Sequence, residues 1–171
     1  PLVSVRNQDV YVIQSLHGHD GQSAADRLVR LLFFIGTCRD NGAARITAVV
    51  PYFAFMRKEV QTKPRDPVTT RYMAQLLEAV GTEMVVGLEV HNPAAFQNAF
   101  RCRTVHLNAH RLFAERIAEH AGSEPVVFLA PDGGAIKRTH QVQQAYEALT
   151  GRAGDMAFIE KHRSNDVVSG G

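Results

Sequence analysis

Hydrophobic residues along this chain form short apolar runs that alternate with stretches where they recur every three or four positions. The runs predict buried strands, and the periodic stretches predict amphipathic helices. Strands joined by helices in this order predict an α/β fold, in which a mostly parallel, doubly wound sheet carries helices on both faces. The predicted strands are Val10–Ser15, Ile46–Val50, Met84–Val90, Thr104–Leu107, Val126–Leu129 and Met156–Ile159.

The first predicted helix has the clearest boundaries. Ser23 is a suitable N-cap, and Gly42 can end the helix. Between them an apolar stripe predicts the buried face, whereas Val29 and Phe33 lie off that stripe. Their position predicts a second contact surface, which we interpret as a subunit interface.

Composition narrows the classes of protein. The 171 residues, 45% of them apolar, suffice for a core, so residues 1–171 are interpreted as one α/β domain or a fragment of a longer protein. A net charge of +2 without blocks of like charge argues against a nucleic-acid partner. Cys38 and Cys102 lack the spacing of a disulfide framework or a zinc site, which favours a reducing cytoplasm. The longest apolar stretch, 28–35, is too short to cross a membrane.

Polar and glycine residues follow the predicted strands. In open parallel sheets, ligands bind outside the carboxyl ends of the strands. Charged groups and glycines gathered along one such edge indicate a site for a phosphorylated ligand. The segments concerned are Ser15–Asp20, Pro51–Glu59, Glu89–His91, Asp132–Gly134 and Lys161–Arg163.

Each of these segments also has an ordinary structural interpretation. His91 fits a structural histidine or a helix cap, and Asp132 with its two glycines fits a turn. Lys161 and Arg163 fit solvated charges beyond a strand, and Arg57 with Lys58 fits a polar loop. His17 and His19 follow a strand but lack a metal-binding spacing.

The order of the motifs along the whole chain resembles that of the ribose-phosphate pyrophosphokinases, also called phosphoribosyl pyrophosphate synthetases. Members of this family transfer pyrophosphate from ATP to ribose 5-phosphate, giving phosphoribosyl pyrophosphate and AMP, with Mg²⁺. The resemblance implies a phosphoribosyltransferase-like fold, with this chain as most of the family's N-terminal half and the start of its C-terminal half. It is carried by 9–15, 45–53, Arg57, 65–69, 89–91, 131–134, Lys137, Arg138 and 161–163.

The same resemblance implies roles for single residues. Lys161 and Arg163 correspond to the family's catalytic pair on a mobile loop, which neutralises charge on the transferring phosphates. Asp132 and His91 are the implied Mg²⁺ ligands, and Asp132 is the stronger candidate because Mg²⁺ prefers oxygen ligands. The implied partners are ATP and ribose 5-phosphate, within a dimer-based or hexameric homo-oligomer in the cytoplasm. The implied nucleotide-binding residues are Arg57, Lys58, Glu59, His91, Gly133 and Gly134.

Departures from the family pattern leave the function open. The family's usual Arg-Gln-Asp is here Arg57-Lys58-Glu59, Glu89 replaces an Asp, and the glycines after Asp132 are shifted by one position. These changes suggest a divergent subgroup. The pentose-phosphate motif is expected beyond Gly171 and the adenine contact before Pro1, so the chain is interpreted as the middle of the protein and expected to be inactive alone. A non-catalytic, nucleotide-binding or regulatory associated subunit is the alternative to an enzyme, and a phosphoribosyltransferase ranks third.

Overall fold

The chain consists of two compact units, each with parallel strands and helices of its own. The computed structural model describes residues 1–159 and the backbone of 161–164 and 167–170. Contacts between Cα atoms separate Pro1–Leu107, here called the first unit, from Asn108–Gly171, the second unit. The predicted α/β class is confirmed, whereas the interpretation of 1–171 as one domain or a fragment stays a prediction.

The first unit contains a four-stranded parallel sheet in the order β1-β2-β3-β4. Each strand is connected to its neighbour by a segment that contains a helix, as parallel pairing requires. The elements are β1 (Asp9–Ile13), α1 (Ala24–Asp40), β2 (Arg45–Val50), α2 (Thr69–Ala79), β3 (Met84–Leu88), α3 (Pro93–Ala99) and β4 (Arg103–Leu107).

One face of this sheet carries the hydrophobic core. The register places Val12 opposite Ala48 and Val50 opposite Gly87, so these side chains point to the same face. The same core cluster contains residues of all three helices, among them Ile35, Leu77 and Phe96. On the opposite face, Tyr11 and Ile13 of β1 are exposed. One face of the sheet therefore packs against the helices. The strand ends keep the order of the strands in the sheet.

Helix α1 begins and ends as its sequence predicts. The Ser23 hydroxyl accepts a hydrogen bond from the Asp26 amide, and the Asp26 carboxylate accepts one from the Ser23 amide, a reciprocal capping box. Val29 and Phe33 lie outside the buried stripe and are 46% and 74% exposed. The predicted contact surface on α1 is therefore not used within the described residues.

The second unit is built around a smaller parallel pair of strands. Its core joins Phe128 and Tyr146, whose ring centroids are 5.5 Å apart. Among the described residues, no helix of either unit is both long and apolar enough to span a membrane. The elements are α4 (His110–Ala121), β5 (Val127–Ala130), a 3₁₀ turn (Gly133–Ala135), α5 (Ile136–Thr150), β6 (Asp155–Phe158) and the antiparallel pair β7 (Lys161–Ser164) and β8 (Val167–Gly170).

The structure corrects the sequence analysis in three respects. The six predicted strands form two separate sheets, β1–β4 and β5–β6, and not one. The sequence did not reveal this division, because an apolar run identifies a strand but not its hydrogen-bonding neighbour. Helix α3 and the β7–β8 hairpin were not predicted. The strand predicted to reach Val90 ends at Leu88, because Glu89 adopts a left-handed backbone with φ of 48°. That turn, which is uncommon for a non-glycine residue, directs the chain into the segment containing His91.

Candidate functional site at the carboxyl edge of the first sheet

Two loops lie side by side at the carboxyl edge of the first sheet. One loop, 51–68, follows β2, and the other, 89–92, follows β3. Since β2 and β3 are hydrogen-bonded neighbours in parallel, the two loops leave the sheet at the same edge. Arg57 and His91, which the sequence analysis places near ATP, are carried by these two loops.

The 51–68 loop is closed by a cluster of polar contacts around Asp66. Its Oδ2 atom accepts hydrogen bonds from Lys58 Nζ at 2.5 Å, Thr62 Oγ1 at 2.7 Å and the Lys63 amide at 3.0 Å. The hydrogen bond from Lys58, followed by those from Thr62 and Lys63, lowers the pKa of Asp66 to about 2. Lys58 is thereby bound within its own loop, in which it stabilises the conformation.

The first turn of α2 also stabilises the 51–68 loop, through hydrogen bonds to the loop backbone. The Thr70 hydroxyl donates to the carbonyl oxygens of Met56 and Lys58 at 3.2 and 3.1 Å. The Thr70 amide also donates to the Lys58 carbonyl, at 3.2 Å. These contacts fix the backbone on both sides of Arg57.

Glu59 is held by a residue of the neighbouring loop. Its Oε1 atom accepts a hydrogen bond from Asn92 Nδ2 at 2.8 Å. The other carboxylate oxygen, Oε2, is buried and has no hydrogen-bond donor among the described residues. Glu59 therefore joins the two loops across the edge of the sheet.

Arg57 and His91 differ from Lys58 and Glu59 in being unengaged. Both side chains are exposed, and within the described part of the chain neither has a hydrogen bond or an ion pair. The donors of these two side chains are therefore available to a ligand. A guanidinium binds phosphate oxygens in a bidentate manner, so Arg57 has the chemistry expected for ATP phosphates.

A cavity of about 590 Å³ lies between the 51–68 loop, α2 and α3. The residues that line it include the hydrogen-bonded pair Glu59 and Asn92 and the charged residues Arg71, Glu78 and Arg101. Glu78 is occupied by the backbone, because its Oε1 atom accepts from the amides of Arg101 and Cys102 at 2.5 and 2.9 Å. The lining charges are balanced, and this cavity gives no preference for an anionic ligand.

The histidines after β1 form a separate group at the surface. Ser15 Oγ and His17 Nδ1 are 2.8 Å apart, and His19 Nδ1 is 2.8 Å from the Asp20 carboxylate. Throughout the described residues there is no group of three His, Cys, Asp or Glu side chains that could hold a metal ion.

In the second unit, the segment after β5 begins the 3₁₀ turn that leads into α5. The Asp132 carboxylate accepts a hydrogen bond from the Ala135 amide at 3.0 Å and caps this turn. Gly133 and Gly134 are exposed and have negative φ, so the turn itself does not require glycine at either position. A Cβ atom at Gly133 would meet nothing within 4 Å. The two glycines leave the backbone accessible beside the Asp132 carboxylate.

The predicted catalytic pair belongs to the second unit. Lys161 and Arg163 lie on β7, and their side chains are outside the described residues. Their assignment stays a prediction.

Asn92 is the residue at this edge that the sequence analysis missed. Its Oδ1 atom accepts from the Ala94 and Ala95 amides at 3.0 and 3.2 Å, and it is the N-cap of α3. The sequence did contain the signal, because an Asn followed by Pro93 is a typical helix start. The short helix lacked an apolar period, so it was overlooked.

Comparisons with known proteins agree with the resemblance described above. Residues 1–81 match the family model of the N-terminal domain of ribose phosphate pyrophosphokinase. The ribose-phosphate pyrophosphokinase of Mycoplasma genitalium is 30% identical over 166 residues, which are 97% of this chain and 47% of that protein. The corresponding protein of Granulibacter bethesdensis is 31% identical over 166 residues, 97% of this chain and 50% of the relative.

A solved structure gives the same result for the fold. The crystal structure of phosphoribosylpyrophosphate synthetase from Mycobacterium smegmatis matches 98% of this chain and 52% of its own, with a TM-score of 0.79 and 30% identity. This likeness confirms the predicted phosphoribosyltransferase-like α/β class. The chain spans about half the length of the relatives that it matches. By these sequence and structural matches, the chain is similar to the ribose-phosphate pyrophosphokinases over nearly its whole length, and its first 81 residues match their N-terminal domain.

Proposed function

We propose that the complete protein transfers the pyrophosphoryl group of ATP to the 1-hydroxyl of ribose 5-phosphate. The products are phosphoribosyl pyrophosphate and AMP. The observation that carries this proposal is the similarity to ribose-phosphate pyrophosphokinases over 97% of the chain. The availability of Arg57 and His91 at the carboxyl edge of the first sheet supports it. A cytoplasmic homo-oligomer, dimer-based or hexameric, is part of the same proposal.

In the proposed reaction, the 1-hydroxyl oxygen of the pentose forms a bond to the β-phosphorus of ATP. The bond from that phosphorus to the oxygen bridging the α- and β-phosphates breaks, AMP leaves, and the hydroxyl proton is released. Arg57 binds phosphate oxygens of ATP, and His91 lies beside the nucleotide. Lys161 and Arg163 neutralise the negative charge that builds up during transfer, which is the main contribution a protein makes to phosphoryl chemistry.

The residues present are compatible with the Mg²⁺ that the family implies. Mg²⁺ is commonly held by one or two carboxylates together with substrate phosphates, so a large protein cage is not required. Asp132 would supply an oxygen ligand, and His91 would be the weaker ligand. When bound, Mg²⁺ would supply charge neutralisation at the phosphates.

The alternative is a non-catalytic associated subunit that binds nucleotide or regulates its partners. The observation that favours it is the internal engagement of Lys58 and Glu59, two of the predicted nucleotide-binding residues. With Lys58 bound to Asp66 and Glu59 to Asn92, the 57–59 segment offers fewer free groups to ATP than the sequence analysis expected.

The test is a product assay on the full-length protein with ATP, Mg²⁺ and ribose 5-phosphate. We expect phosphoribosyl pyrophosphate and AMP to form in equal amounts. Replacing Lys161 with Ala should lower kcat by about a hundredfold or more with little change in KM, because the charge acts mainly in the transition state. Nucleotide binding without product by the unaltered protein would favour the associated subunit. A fully active Lys161→Ala variant would remove Lys161 from the catalytic assignment.

A further inference from the structure

The side chain of Asn92 makes hydrogen bonds in two directions. Its Oδ1 atom accepts from the Ala94 and Ala95 amides and starts α3, while its Nδ2 atom donates to Glu59 Oε1 at 2.8 Å. The first set of bonds lies within its own helix, and the second reaches the loop after β2. A single amide group thus connects two segments that are 33 positions apart in sequence.

The Glu59 carboxylate depends on this amide. Among the described residues, the buried Oε2 atom of Glu59 has no hydrogen-bond donor, and Asn92 provides the only side-chain donor to Oε1. A buried carboxylate that loses its hydrogen-bond partner incurs a desolvation penalty. Loss of the Asn92 amide would therefore drive Glu59, and the loop that carries it, toward a different conformation.

Each partner of the Glu59–Asn92 hydrogen bond is close in sequence to a residue of the candidate site. Arg57 lies two positions before Glu59, and His91 directly precedes Asn92. The Thr70 contacts fix the backbone at Met56 and Lys58, and the left-handed Glu89 turn sets the path of the chain before His91. The Glu59–Asn92 hydrogen bond is the side-chain contact that ties one of these fixed segments to the other.

We infer that Asn92 is a positioning residue, which sets the distance between Arg57 and His91 by holding Glu59. This inference rests on the proposed function, in which Arg57 and His91 contact ATP. Asn92 itself need not touch the substrate. Its effect is expected on ATP binding more than on the chemical step, since both positioned residues contact ATP before transfer.

Different substitutions of Asn92 separate its role as the N-cap of α3 from its hydrogen bond to Glu59. Asn92→Ser keeps a good N-cap for α3, but serine is too short to reach Glu59. Asn92→Asp also keeps the cap and places a second carboxylate against that of Glu59. The double variant Glu59→Gln with Asn92→Asp restores a hydrogen bond with donor and acceptor exchanged. Asn98→Ser makes the same chemical change on α3 without affecting cap or connection, and serves as the control.

Kinetics on the full-length protein test the role in binding. We expect Asn92→Ser to raise the KM for ATP about tenfold, roughly the effect of losing one hydrogen bond to a charged group, with kcat changed less than about twofold. The double variant should have a KM well below that of Asn92→Asp alone, and Asn98→Ser should not change KM. An unchanged KM in Asn92→Ser, or a double variant as impaired as Asn92→Asp alone, would overturn the inference.

Amide hydrogen exchange distinguishes failure of this inference from failure of the proposed function. If the unaltered protein makes no product, the proposed function is wrong, and exchange alone decides the inference. Faster exchange at 57–60 in Asn92→Ser, with the first turn of α3 still protected, would support the connection. Unchanged exchange at 57–60 would refute it.

Discussion

The Lys58 ammonium group lies 2.5 Å from Asp66 Oδ2, across the base of the loop that follows β2. Both side chains are partly shielded from solvent, with 31% and 25% of their areas exposed. The role of Lys58 in ATP binding stays a prediction, and within its own loop Lys58 has Asp66 as a partner. The loop that presents Arg57 is consequently held closed by charge-assisted hydrogen bonds.

Asp66→Asn should weaken this loop in a pH-dependent manner. The hydrogen bonds from Lys58, Thr62 and Lys63 lower the folded-state pKa of Asp66 from 3.8 to about 2. The Asp66 carboxylate therefore stabilises the folded protein fully at a pH above its pKa in the unfolded chain. This stabilisation is lost as the pH falls toward its pKa in the folded protein. Urea unfolding should show the variant less stable than the unaltered protein at neutral pH, with the difference vanishing near the folded pKa. A difference that does not depend on pH would contradict this assignment, and Asp155→Asn, an exposed carboxylate on β6, is the control.

Gly87→Ala should destabilise the first unit by overpacking its core. A Cβ atom at Gly87 would lie 2.6 Å from Val90 Cγ1, 3.3 Å from a ring carbon of Phe53 and 3.4 Å from one of Phe96. Extra methyl groups in a packed core typically cost about 1–3 kcal/mol. Chemical denaturation of the variant measures this loss. At Gly36 in α1, where a Cβ meets nothing within 4 Å, the same substitution should stabilise by about 0.5–1 kcal/mol through helix propensity. Equal effects at both glycines would refute the packing argument.

Cys102 should resist alkylation, and Glu78 should contribute to that resistance. Burial, followed by the charge of Glu78, raises the pKa of the Cys102 thiol to about 11. Only the thiolate reacts, so labelling by iodoacetamide near pH 8.5 should be slow. Glu78→Gln lowers the pKa toward its usual value and should accelerate labelling at Cys102, measured peptide by peptide in a mass spectrometer. Burial also raises the pKa of Cys38, which serves as the internal control. Identical Cys102 rates with and without the Glu78 charge would count against this electrostatic effect.

Phe33→Glu should reduce the mass of the assembled protein if α1 forms a subunit interface. Phe33 is 74% exposed on the described chain, and a charge placed in an apolar contact between subunits would remain unpaired. Light scattering after size-exclusion chromatography measures the mass, and circular dichroism confirms the fold. Leu149→Glu, at an exposed apolar residue of α5, is the control for a general loss of surface hydrophobicity. A folded Phe33→Glu protein of unchanged mass would remove the support for an interface at this helix.

Local patterns predicted most of the elements in this protein. The apolar stripe with Ser23 in front of it identified α1, and the apolar runs identified six strands within a few residues of their observed ends. These features depend on neighbouring positions, because helix caps and side-chain periodicity act over a few residues. Helix α3 was missed since its seven residues contain too few apolar positions for a period to be visible.

For the candidate site, the sequence identified which segments follow strands but not which of their groups are engaged. Arg57 and Lys58 are adjacent basic residues with the same expected role. Yet Arg57 is exposed and has no partner among the described residues, whereas Lys58 is bound to Asp66. That difference results from the path of the 57–66 backbone, which no local pattern specifies.

Local sequence patterns were enough to predict the α/β class, the order of six strands and most of the helices, and the motifs that resemble the family. Three features could be seen only in the folded chain: the division of the six predicted strands between two sheets, the contact between Glu59 and Asn92, and the left-handed turn at Glu89. The difference between the two groups of features arises from distance along the chain. Propensity and periodicity depend on neighbouring residues, whereas strand pairing and a hydrogen bond across 33 positions depend on how the folded backbone brings remote segments together.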